Sequence, residues 1–147
     1  MRLGLPLIVG CATIASMVLV QATVITAIVR LVRRQVPPTG AFAHWMHNVG
    51  VVTRALLLIV VAQLVQIAVW AALFIGCGEF DDFPTAFYHS AVNFTTLGYG
   101  DFVMSPAWRL LGPLEAVAGM LMFGVSTAVL FFVAERLIRL RLDHTTG

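Results

Sequence analysis

Lysine is absent from the 147 residues, and charged side chains of either sign make up only 11% of them. Nine arginines against seven acids leave a formal charge of +2, and the arginines flank apolar runs without forming a stripe. That distribution excludes a nucleic-acid binder, which needs a basic face to track phosphates. Cysteine is scarce too: Cys11 and Cys77 are too few and too far apart for a disulfide framework or a zinc site. No apolar run pairs a histidine with a carboxylate at metal-ligand spacing, and no nucleophile has a base at helical distance. An enzyme, a cofactor or a structural metal is therefore not expected. Apolar surface, in contrast, is abundant, with 60% hydrophobic residues and a mean hydropathy of +0.95. A soluble domain of this length cannot bury so much of it, so the chain reads as a membrane protein with room for about three or four spans of roughly 20 residues.

The first apolar run, Leu3 to Val32, is too long for a signal-peptide core and reads as a retained helix, an additional N-terminal span over 1–34. Arg30, Arg33 and Arg34 end it, and Pro37-Pro38-Thr39-Gly40 breaks the chain. Residues 35–50 read as a cytoplasmic linker followed by a short interfacial helix. There Phe42, Trp45, Met46 and Val49 form an apolar stripe opposite His44, His47 and Asn48. A second span covers 51–75 and stops at Gly76-Cys77-Gly78. Glu79, Asp81 and Asp82 follow, and Phe83-Pro84 opens a helix over 84–94 that is too short to cross. The last span runs over 110–138, and 139–147 is a short tail.

Seven arginines (Arg30, Arg33, Arg34, Arg54, Arg136, Arg139 and Arg141) fall on one side of this topology, and Arg2 and Arg109 on the other. The positive-inside rule then places the N-terminus outside the cell membrane and the C-terminus in the cytoplasm. Arginine in place of lysine hints at a GC-rich bacterial genome and hence a bacterial inner membrane. No span carries arginine at every third position, so an intrinsic voltage sensor is not expected.

Between the second and third spans stands Thr95-Thr96-Leu97-Gly98-Tyr99-Gly100-Asp101. Two glycines around a tyrosine, directly after a short helix, make this segment irregular. Irregular backbone at membrane depth is tolerated where it lines a path for water or ions. Gly98 and Gly100 accept positive φ without penalty, which lets successive carbonyls point at one axis and replace the water around a cation. The helix over 84–94 would aim the negative end of its dipole at the same place, which favours cations over anions.

The run 95–101 resembles the selectivity-filter signature of the potassium channels of the pore-loop, tetrameric cation channel superfamily, and 51–138 is similar to the family's pore domain of outer helix, pore helix, filter and inner helix. The resemblance implies an all-helical membrane protein with three transmembrane helices, one of them additional to that domain, plus a re-entrant pore helix and filter loop. It also implies a homotetramer embedded in membrane lipid that conducts K+ passively. Thr96, Leu97, Gly98, Tyr99 and Gly100 would bind dehydrated K+, with Thr95 and Asp101 supporting them; for Tyr88, a hydrogen bond that supports the filter and plain packing are the two readings. Met120, Phe123 and Thr127, on one face of the last span, would line a cavity below the filter. Gly119 and Gly124 are spaced like the family's inner-helix hinge, with close packing as the competing reason for either glycine. Glu79, Asp81 and Asp82, repeated fourfold, would ring the outer mouth.

This sequence departs from the bacterial pattern where Tyr88, His89 and Val92 replace a Trp pair and a Glu, so a carboxylate bridge to Asp101 through position 92 is excluded. Glu115 reads as a first-turn carboxylate near Arg109. Two alternatives remain: a non-selective cation channel of the same architecture, and a non-conducting modulatory subunit.

Overall fold

The computed structural model describes residues 4–34 and 41–143, which form four α-helices and, among the described residues, no strand. They are α1 (Gly4–Arg33), α2 (Ala41–Gly76), α3 (Phe83–Phe94) and α4 (Leu111–Asp143). Helical stretches at Gly4–Arg33, Trp45–Gly76 and Leu111–Arg139 are each long and apolar enough to cross a membrane. At 1.5 Å per residue the shortest, 29 residues, is about 43 Å long and crosses a hydrocarbon core of about 30 Å even when tilted. The fold is that of a helical membrane protein with three spans. The breaker expected at 37–40, the first three residues and the tail from 144 lie outside the described residues.

One boundary differs from the sequence expectation. The short interfacial helix over 42–49 is not a separate element but the first turns of α2, which runs unbroken for 36 residues. A lone Gly50 does not stop a helix whose backbone groups gain nothing by leaving it in apolar surroundings. Phe42, Trp45, Met46 and Val49 are exposed on this extension.

The helices pack in two tiers. Ile28 and Val32 of α1, Val51, Ala55 and Ile59 of α2, and Val133 and Leu137 of α4 form one cluster. At the other end Met17, Ile67, Trp70 and Phe74 pack with Ala118 and Met122 of α4 around Phe94, the last residue of α3. Between the tiers lies a polar chain. Ser126 accepts a hydrogen bond from Gln21 Nε2 at 3.1 Å, and Gln21 Oε1 accepts one from Gln66 Nε2 at 3.1 Å. All three residues are buried, and each comes from a different span. Side-chain hydrogen bonds between membrane helices average about 0.6 kcal/mol and reach about 1.7.

Replacing Gln21 with Leu should lower the melting temperature of the detergent-purified protein. Ser126→Ala should add little in the double variant, because both changes sever the same bond. Full additivity in that cycle would show that the two side chains act independently.

Candidate functional site

α3 starts where it does because Asp82 caps it, its Oδ1 accepting from the Thr85 amide at 3.0 Å, with Pro84 in the first turn where no amide is needed. That bond holds the Asp82 carboxyl below the usual carboxylate range. The helix is wedged between α2 and α4, and its end is set by a close approach. A Cβ on Gly119 would collide with the Phe94 carbonyl oxygen and lie 2.9 Å from the carbonyl carbon. Gly119 lies eight residues into α4, so α3 terminates about 12 Å along that span, at membrane depth.

There the chain turns. Thr95 caps the helix, its amide donating to the Ala91 carbonyl at 3.1 Å and its hydroxyl to the same oxygen at 2.7 Å. The amides of Thr96, Leu97 and Gly98 then point back into α3, to Asn93 O at 2.9 Å and to Val92 O at 2.9 and 3.4 Å respectively. Positive φ recurs at every second residue: 60° at Thr96, 61° at Gly98 and 74° at Gly100. Among the described residues no backbone amide donates to the carbonyls of residues 96 to 100. The two glycines were legible as permissive positions. Thr96 was not, because a threonine in the left-handed region costs about 1 to 2 kcal/mol and nothing local advertises it. All of residues 95 to 101 are exposed, Tyr99 to 67% and Leu97 to 54%, so the single chain presents the loop on an open face.

The return limb is tied at two points. Tyr88 Oη donates to Asp101 Oδ2 at 2.8 Å, so Tyr88 supplies the tie to Asp101 that Val92 cannot make. This bond to an acceptor carboxylate raises the Tyr88 phenol above its ordinary value and keeps it a neutral donor. Farther along, Ser105 donates through its amide and hydroxyl to the Glu79 carboxylate, at 2.6 and 2.5 Å. Two of the three acids at 79–82 therefore have local structural duties as well as charge, while Asp81 is simply exposed. Behind the loop is a cavity of about 350 Å³, lined in part by His89, Asn93, Thr96, Gly98 and Arg109. His89 packs edge-on against Phe74 and tilted against Phe80, and its Nε2 meets Asn93 Nδ2 at 2.9 Å. Burial pushes the imidazole below its ordinary value, consistent with Nε2 accepting from the amide.

On α4, Met120, Phe123 and Thr127 are exposed, and the Phe123 ring stands edge-on to Phe94 with centroids 5.7 Å apart. The structure thus groups this face with the start of the loop. The glycines separate: Gly119 has the packing reason just given, whereas Gly124 faces open space. Glu115, expected at a helix start near Arg109, is fully buried and meets Ser90 of α3.

A short helix ending at membrane depth, followed by an exposed loop between two spans, is an arrangement suited to lining an ion path. The sequence matches the model of the Ion channel family, Ion_trans_2, over residues 56–136, more than half of the chain. The chain belongs to the Ion channel family. No solved structure matches it. The match begins within α2 and ends within α4, so α3 and the 95–101 loop lie wholly inside the ion-channel domain and α1 lies outside it.

Gly119→Ala should destabilise the protein by about 1 to 3 kcal/mol, the usual cost of overpacking, because the new methyl meets backbone rather than a movable side chain. Gly124→Ala should leave unfolding in detergent unchanged, and equal melting temperatures for the two variants would rule out the packing role of Gly119.

Proposed function

We propose that four copies of this ion channel surround one axis and conduct K+ passively through their 95–101 loops. The observation that carries the reading is the alternation of positive φ at Thr96, Gly98 and Gly100 on a loop whose first amides are turned into α3. With amides held back, the carbonyls of Thr96, Leu97, Gly98, Tyr99 and Gly100 are free to face an axis and replace a cation's hydration shell. One such loop cannot enclose an ion, and its exposed face needs copies of itself to cover it.

The surroundings suit the task. The C-terminal end of α3 points its partial negative charge at the loop's beginning, and the Tyr88–Asp101 bond braces the loop's far end. Thr96 brings a hydroxyl to the inner entrance, Thr95 anchors the turn, and Met120, Phe123 and Thr127 line the cavity beneath. Asp81, with the charges of Glu79 and Asp82, concentrates cations at the outer mouth. Gly124, unconstrained by packing, is the better candidate for a pivot in α4. Seven arginines against two support an orientation with the mouth outside the cell membrane and the C-terminus in the cytoplasm.

Purified protein in liposomes should pass K+ down its gradient with Na+ excluded. Equal reversal potentials under K+ and Na+ gradients would instead indicate a non-selective cation channel, and no flux would favour a modulatory subunit. Gly98→Ala puts a Cβ where φ is 61°, at about 1 to 2 kcal/mol per subunit, and should abolish K+ flux or its selectivity while the oligomer still assembles. Wild-type selectivity in that variant would show that the loop is not the selecting element. A tag before Met1 should be labelled from outside intact cells and one after Gly147 should not; the reverse pattern would invert the orientation.

A further inference from the structure

One buried group takes no part in the ion path described so far. Glu115, on the second turn of α4, is fully buried, and so is its neighbour Ser90 on α3. The Ser90 Oγ lies 2.8 Å from the Ile67 carbonyl of α2 and 2.5 Å from Glu115 Oε1. A hydroxyl carries a single hydrogen, and a backbone carbonyl can only accept. If Ser90 donates to Ile67 O, the hydrogen between Ser90 and Glu115 must come from the carboxyl, and 2.5 Å is a length at which oxygen lone pairs cannot face each other without one.

The second carboxyl oxygen supports the same assignment. Glu115 Oε2 is buried without a hydrogen-bond partner, although the Asn93 side chain stands beside the carboxyl. An ionised carboxylate buried with a bare oxygen is far costlier than a neutral acid whose carbonyl lacks one bond. The groups that face it are neutral: α3 supplies Ser90 and Asn93, whose hydroxyl and amide can donate to the carboxyl, with His89 behind Asn93, and α2 supplies the Ile67 carbonyl, which can only accept. Arg109 lines the neighbouring cavity with His89 and Asn93.

We infer that Glu115 carries a proton and acts as the positioning residue that pins α3 to α2 and α4, and through α3 holds the 95–101 loop in its conducting shape. The relay is short. Ser90 lies two residues before Val92, whose carbonyl receives the Leu97 and Gly98 amides, and four before Phe94, which rests on Gly119. Residues 115 and 119 of α4 thus meet residues 90 and 94 of α3 in matching four-residue steps. An apolar residue at 115 would fill the space but remove the tie from Ser90 to α4, leaving Ser90 held by the Ile67 carbonyl of α2 alone. The inference rests on the conduction reading above for its consequence, but not for the proton.

The test uses full-length wild type, Glu115→Gln and Glu115→Leu, each purified and reconstituted. Infrared spectra of the wild type at neutral pH should show a protonated carboxylic acid band that Glu115→Gln lacks, whether or not the channel conducts. Gln donates to Ser90 as the acid does, so Glu115→Gln should keep K+ flux and selectivity. Glu115→Leu removes the donor, and its flux or its K+ over Na+ selectivity should fall by about tenfold, the scale of one buried hydrogen bond. Absence of the acid band from wild type overturns the protonated state. An assembled but non-conducting Glu115→Gln, or a Glu115→Leu channel with wild-type selectivity, overturns the positioning role. Absent flux in wild type itself would count against the conduction reading, while the infrared band still decides the proton.

Discussion

The contact between Gly119 and the Phe94 carbonyl governs the rest of this molecule. It lets two helix backbones approach without side chains between them, and so sets the depth at which α3 stops and the chain turns. Everything that follows, from the Thr95 cap to the amides folded back on Val92, is measured from that point. The approach also couples the Phe123 face of α4 to the start of the loop, because Phe94 packs on Phe123 at the same place. A span that moved here would carry the loop with it.

The second constraint is the apolar solvent. Polar groups in the bundle find partners across helices or leave a visible debt, since lipid offers them none. The Gln21–Gln66–Ser126 chain fastens the additional helix α1 to both spans of the ion-channel domain, although the family match covers only those two. Glu115 and Ser90 make a comparable knot nearer the loop. The two knots differ in consequence: the first sets which helices stay together, the second sets where α3 lies between them.

The return limb shows the same economy. Glu79 and Asp82 look from the sequence like free charge at a mouth, yet one anchors Ser105 and the other caps α3. Both roles position backbone, and neither prevents the carboxylates from acting at long range as anions. Tyr88 likewise positions the loop, its hydroxyl donating to the Asp101 carboxylate.

The sequence by itself determined the number of spans, the short helix between the last two, and the irregular stretch at 95–101, because hydropathy, Pro84 and paired glycines are local signals that need no tertiary partner. Gly98 and Gly100 were legible for the same reason: positive φ is written in the residue type. Thr96 was not, since its left-handed backbone is imposed by the Asn93 and Val92 carbonyls around it. The unbroken start of α2 was hidden as well, for an amphipathic stripe has the same spacing whether its helix lies flat or continues into a span. Only packing could decide between hinge and contact at Gly119, or turn Glu115 from a first-turn carboxylate near Arg109 into a buried post. Those outcomes depend on which atoms α3 brings within reach of α4, a distance between segments twenty or more residues apart that no local pattern encodes.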